Sequence, residues 1–261
     1  MVQFVAVSQE RHALKKWRRH TSYKFAATEA VAPIVGAELA KAALSMPLAF
    51  SEQAGHYTLV AVLSLVSGRN MFVGSDGRWY GNYIPACLRS YPFGLLPQHG
   101  TDQLALCVDE GSGLVVEKNI TGDEFFDAEG NVSPAVKAVM ELLTQFHRSR
   151  QVTDLAVSAL AQAGVIKPWQ INVKSAQGEQ AIGGLHCIDE VALGALSNDD
   201  FMKLRIALPI AYGQLLSQGR LDVFEQLARL HSQPGPAPVA ALPETLDGLL
   251  ERLGDDVVRF K

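Results

Sequence analysis

The chain has 261 residues, of which 48% are hydrophobic and 19% charged, and a formal net charge of −4 at pH 7. Such a chain can bury a sizeable core, and its mild acidity gives no general attraction for nucleic acid or an anionic membrane surface. The amino terminus is apolar too briefly for a signal peptide, and no stretch has the length of a membrane span. Cys87, Cys107 and Cys187 are few, scattered and odd in number, which argues against a disulfide framework and for a reducing, cytoplasmic setting.

Val2 to Val7 reads as a short strand. Arg11 to Lys24 follows as a basic run interleaved with His12, Trp17, His20 and Tyr23. Such a run can grip nucleic acid or acidic lipid, but it is short and carries no recognisable binding fold, so it reads as a solvated basic face or mobile arm. Pro33 opens a predicted helix with Ile34, Leu39, Ala42 and Ala43 at helical spacing, stopped by Pro47. Leu48 to Phe50 and the almost wholly apolar Tyr57 to Val66 read as strands, the second central in a sheet.

The densest chemistry lies between Asn70 and Phe93. Met71 to Val73 is an apolar run reversed by Ser75-Asp76-Gly77, which predicts a tight hairpin or corner. Gly81 admits a close approach of backbone or ligand, and Pro85 starts a short helix over Ala86 to Arg89 that Pro92 ends. Arg89 is the one permanent charge amid these aromatic rings. Either the rings are core and Arg89 pairs with an internal carboxylate, or Trp79, Tyr80, Tyr83, Arg89 and Tyr91 line a pocket for an anionic or aromatic ligand.

The same residues carry a resemblance. W-Y-G-N-Y-I-P-A-C-L-R-S-Y-P-F, from Trp79 to Phe93, is similar to the signature of the bacterial SapC family. Ala30 to Phe50, Leu106 to Glu110, Phe125 to Asn131 and Gly183 to Glu190 resemble further blocks of that family in the same order, so the likeness runs from about Ala26 to about Leu227. The family name implies an association with a bacterial surface layer. No catalytic residues carry over from it.

Beyond the signature, Leu104 to Val108 and Leu114 to Val116 read as strands on either side of a turn. The acidic loop from Asp123 to Asn131 lacks the alternating ligands and distal glutamate of a calcium loop, so no metal is expected there. Ser133-Pro134 caps a helix predicted to about His147, with a second from Thr153 to Ala163. Ile171 to Lys174 and Gln180 to Ile188 read as a hairpin, followed by helices near 189–196, 199–208, 212–217 and 221–231. Pro234 to Pro243 reads as an extended linker to a tail helix striped by Leu246, Leu249, Leu250 and Leu253.

The sequence has no phosphate loop, Rossmann glycine fingerprint or nucleophile elbow, and its seven histidines show no paired ligand spacing. His186 and Cys187 are adjacent in a predicted strand and so point to opposite faces, which prevents a nucleophile–base pair between them. The expected fold is α+β: antiparallel strands in the N-terminal half and a later hairpin, packed against helices of the C-terminal half. Residues 1–25 read as a strand and basic arm, 26–232 as a single domain, 233–243 as linker and 244–261 as tail helix. Two functions fit. One is a non-enzymatic binding or accessory protein without a cofactor, holding a small-molecule or peptide ligand, with a protein partner or self-association through the tail helix and with neither nucleic acid nor membrane. The other is an enzyme or enzyme subunit in peptide or small-molecule modification, with a site built from dispersed residues.

Overall fold

The structure, a computed structural model, describes residues 3–98, 103–175 and 178–232. The predicted linker and tail helix lie outside the described residues. The chain opens with β1 (Phe4–Ala6), a single turn α1 (Gln9–His12) and β2 (Lys15–Trp17). The run is therefore a basic face of the folded body, with Arg11, Arg18, Arg19 and Lys24 exposed, rather than a mobile arm. Arg11 and Lys15 reach Glu110 at 2.7 and 3.5 Å, Arg18 donates to the Thr121 carbonyl, and the Trp17 ring is buried edge-on to Phe93. The partners lie far along the chain, Glu110 at 99 residues from Arg11 and Thr121 at 103 from Arg18, so a count of charges does not reveal them.

Val31–Pro33 forms β3 rather than a helix start. As an edge strand it tolerates the missing Pro33 N–H, and a residue before proline favours extended backbone. A 3₁₀ turn over Gly36–Glu38 then leads into α2 (Leu39–Ser45). β4 (Leu48–Gln53) and β5 (His56–Val62) form a hairpin whose two turn residues, Ala54 and Gly55, both have positive φ, the geometry that matches strand twist. Leu48, Phe50, Leu59 and Ala61 bury one face of this pair, whereas Ala49, Val60 and Val62 bury the other.

Next come α3 (Ala86–Arg89), β6 (Phe93–Pro97), β7 (Leu104–Asp109), β8 (Val115–Glu117) and β9 (Asp123–Glu124). β1, β7 and β6 make one antiparallel sheet in that order, and β8, β2 and β9 a smaller one. One helix of 29 residues, α4 (Pro134–Gln162), replaces the predicted pair. Ser133 Oγ accepts the Val136 N–H at its start, and residues 148–152 contain neither glycine nor proline, so a polar interlude does not interrupt the helix.

β10 (Ile166–Pro168) precedes a ribbon of β11 (Ile171–Ser175) and β12 (Gly178–Ile182). Gly183-Gly184 divides the long second strand expected from sequence, since Gly184 sits at φ +86° and β13 (Leu185–Ile188) crosses to the large sheet. That sheet has the order β10-β13-β4-β5-β3, antiparallel throughout. Four helices close the described chain: α5 (Glu190–Gly194), α6 (Asn198–Lys203), α7 (Leu208–Ser217) and α8 (Val223–Ser232). Buried Gln214 of α7 clamps the sheet, accepting from the Ile188 N–H at 2.9 Å and donating to the Leu48 carbonyl at 3.1 Å. The architecture is α+β, with antiparallel sheets in the first half and helices in the second.

Because α4 is continuous, Gln151→Pro at its exposed centre costs about 3 kcal/mol or more and Gln151→Gly about 1 kcal/mol. Urea unfolding measures both; near-neutral effects would mean a break at this point.

A candidate anion pocket at Arg89

Two buried carboxylates pin the aromatic stretch. Glu38 is 6% exposed, at the end of the 3₁₀ turn after β3. Its Oε1 accepts from the Tyr83 hydroxyl at 2.5 Å and the Ala86 N–H at 2.6 Å, and its Oε2 from the Val35 N–H at 3.3 Å. Asp109, 2% exposed at the end of β7, accepts from the Tyr91 hydroxyl and from the Gln3 and Gly111 N–H groups. Buried acceptors need such donors to offset lost hydration.

Arg89 sits at the exposed end of α3 with its side chain 44% accessible and Nη2 4.0 Å from Glu38 Oε1. Its guanidinium carbon lies 5.8 Å from the centre of the Tyr83 ring. The carboxylate is already served by three donors, so Arg89 approaches it without a tight bidentate pair, leaving most of its donor fork uncommitted. Beside it opens a hollow of about 230 Å³ lined by Glu38, Lys41, Tyr83, Arg89, Leu142 and Phe146, among others. Lys41 makes no ion pair among the described residues. Two cations against one buried carboxylate leave the hollow electropositive.

Of the five residues predicted to hold a ligand, Tyr83 and Arg89 line this hollow; Trp79, Tyr80 and Tyr91 do not. Trp79 stacks on Phe72 at 5.2 Å and donates its indole N–H to the Tyr83 carbonyl. Tyr80 meets the His231 ring edge-on, and Tyr91 stacks on Phe25 at 3.9 Å. At Gly81 a Cβ would come within 2.8 Å of Trp79 Nε1 and 2.9 Å of Phe72, so the close approach it permits here is to these rings. Glu38 and Lys41 were not singled out from sequence. A lone carboxylate and a lone lysine amid the small and apolar residues of Ala30–Phe50 were the available signal.

The ionisable groups here are set for structure. Burial, then the hydrogen bond to Glu38, raises the Tyr83 hydroxyl well above its ordinary value. Burial, then the charge of Glu38, pushes the Cys87 thiol up to about 12. His186 Nε2 lies 3.5 Å from Glu52 while Cys187 is buried, as expected for neighbours on opposite faces of a strand. The described residues contain no group of three His, Cys, Asp or Glu side chains placed to hold a metal.

A family model described as SapC matches residues 7–223, most of the chain. The protein belongs to the SapC family. The matched span starts well before Ala26 and takes in β2 and its basic residues, in keeping with their place in the folded body. Comparisons with curated proteins and with solved structures gave no match.

Removing the carboxylate with Glu38→Ala strands the Ala86 N–H and the Tyr83 hydroxyl and costs about 3 kcal/mol in urea unfolding, against about 1 kcal/mol for Tyr83→Phe. A second expectation concerns alkali. Burial, then its bond to Asp109, pushes Tyr91 up to about 12, and Tyr83 is raised too, whereas an unfolded tyrosine ionises near pH 10. The folded state therefore keeps phenolic protons that the unfolded state releases, so this stabilisation is complete below about pH 10 and falls as pH rises toward 12. Urea midpoints measured from pH 8 to 12 check the sign; a midpoint that rises across this window contradicts it.

Proposed function

We propose that this SapC-family chain is a non-catalytic binding or accessory protein that holds a small anionic ligand, or the carboxylate of a larger one, in the Arg89 hollow. The observation that supports this most is the half-exposed guanidinium of Arg89, held over a buried carboxylate that other donors already satisfy, with Lys41, which has no ion pair among the described residues, on the same hollow. The volume suits a ring-sized carboxylate, and Leu142 and Phe146 offer it an apolar wall. Trp79 serves as a positioning residue through its bond to the Tyr83 carbonyl. The binding reading is favoured over the enzymatic one because the lining includes a single carboxylate, no histidine, and a tyrosine raised away from neutrality. Three free thiols suit a reducing compartment, and we place the protein in the bacterial cytoplasm. The surface-layer link implied by the family name fits an accessory role.

Calorimetry with benzoate, inorganic phosphate and uncharged benzamide tests the reading. Benzoate or phosphate is expected to bind and benzamide not. Arg89→Ala should weaken anion binding by roughly 10- to 100-fold, the range for a charged hydrogen bond, without moving the thermal midpoint. Equal binding of benzoate and benzamide, or anion affinity unchanged in the variant, overturns it.

A further inference from the structure

β6 is an edge strand of the β1-β7-β6 sheet. Asp109 donates to the Pro92 carbonyl and Gln98 donates to the Gln103 carbonyl, so positions 92, 94, 96 and 98 turn their backbone groups toward β7. On the far side of β7, Val7 donates to Leu106 and Glu110 to Gln3, which confirms the alternation. Positions 93, 95 and 97 therefore turn outward. The Phe93 N–H is taken by the Ser90 carbonyl at 2.8 Å. What remains open, among the described residues, is the N–H of Leu95 and the carbonyls of Phe93, Leu95 and Pro97.

This edge is not bare. A groove of about 300 Å³ runs beside it, lined by the successive residues Phe93, Gly94 and Leu95, by Phe4, and by residues of α4 from Leu143 to Arg150. Phe4 stands 3.4 Å from the position a Cβ would take at Gly94, and Leu143 packs with Phe93 in the core, so the groove has a wall on each side of the strand. His147 and Arg150 lie along it and no acidic side chain lines it. Arg150 pairs with Asp154 through Nε at 3.5 Å, and Asp154 is not among the residues that line the groove. An open strand edge beside an apolar groove that carries a cation and no acid in its lining is the arrangement that accepts a peptide by strand addition.

We infer that the outer edge of β6 takes up an extended peptide as a fourth strand of the β1-β7-β6 sheet, with an acidic side chain of that peptide at Arg150. In the antiparallel sense the peptide exchanges two bonds with Leu95 and donates one each to Phe93 and Pro97. The groove adjoins the Arg89 hollow across Phe146, which lines both, yet the two sites use different cations.

The probe is a library of heptapeptides ending in glutamate, randomised at the alternate positions that would face the groove, captured on the full chain and then measured singly by fluorescence polarisation. Captured peptides are expected to lose at least tenfold in affinity when the amides that would face β6 are N-methylated, a test that leaves the protein untouched. Leu95→Pro removes the outward N–H without touching the β7 ladder and should do the same. Arg150→Gln should weaken the acidic peptides about tenfold and leave their glutamine-ended versions unchanged. Arg89→Ala should weaken benzoate binding by the same roughly 10- to 100-fold and leave peptide capture unchanged, so the two sites fail separately. A library from which nothing is retained, N-methylated peptides that bind equally well, or a dimer abolished by Leu95→Pro, which would give the edge to a second copy, overturns the inference.

Discussion

The contact between Glu38 and the signature stretch is the constraint on which the rest depends. A carboxylate withdrawn from water is costly unless donors replace its hydration, and Glu38 finds them on three separate segments: Val35 before its own turn, the Tyr83 hydroxyl, and the first N–H of α3. Meeting that demand fixes the corner after β3 against the start of α3. It also decides the state of Arg89. With the carboxylate already satisfied, the guanidinium is attracted to the site without being absorbed by it.

Asp109 plays the matching part in the β1-β7-β6 sheet, where Tyr91, Gln3 and Gly111 converge. The stretch from Trp79 to Phe93 is thus tied at one end to the turn leaving β3 and at the other to the end of β7. α4 spans the same gap. Its first turns bury Val136 and Leu143 with Trp17, Phe93 and Phe125, and its last turns bury Val157 and Leu160 with Phe50 and Leu59. A helix of 29 residues is about 44 Å long, enough to serve two cores at once.

Both hollows lie along the middle of α4, between residues 142 and 150, where it passes from one core to the other. Close packing fails most readily at such a seam, because side chains on either side are committed to different clusters. The cations Lys41, Arg89 and Arg150 gather there with Glu38 as the one acid among the residues lining the two hollows. The proposed binding role rests on the joint between the sheets rather than on either sheet alone.

Local signals reached far. The Ser133-Pro134 cap, the four residues of α3, the turn at Gly77 and the strands flanking Ala54-Gly55 were all legible, since capping, proline geometry and side-chain periodicity act over a few residues. The aromatic stretch and Arg89 stood out for the same reason. What sequence alone left open was whether Arg89 pairs with an internal carboxylate or lines a ligand pocket; the tertiary structure sets it 4.0 Å from buried Glu38 with its side chain 44% accessible. The partners of the stretch lie far off along the chain, Glu38 at 45 residues from Tyr83 and 48 from Ala86, and Asp109 at 106 from Gln3. No periodicity or cap encodes bonds across such distances. They form only when the sheets assemble, which is also when Trp79, Tyr80 and Tyr91 turn to their own neighbours and leave Tyr83 and Arg89 at the hollow.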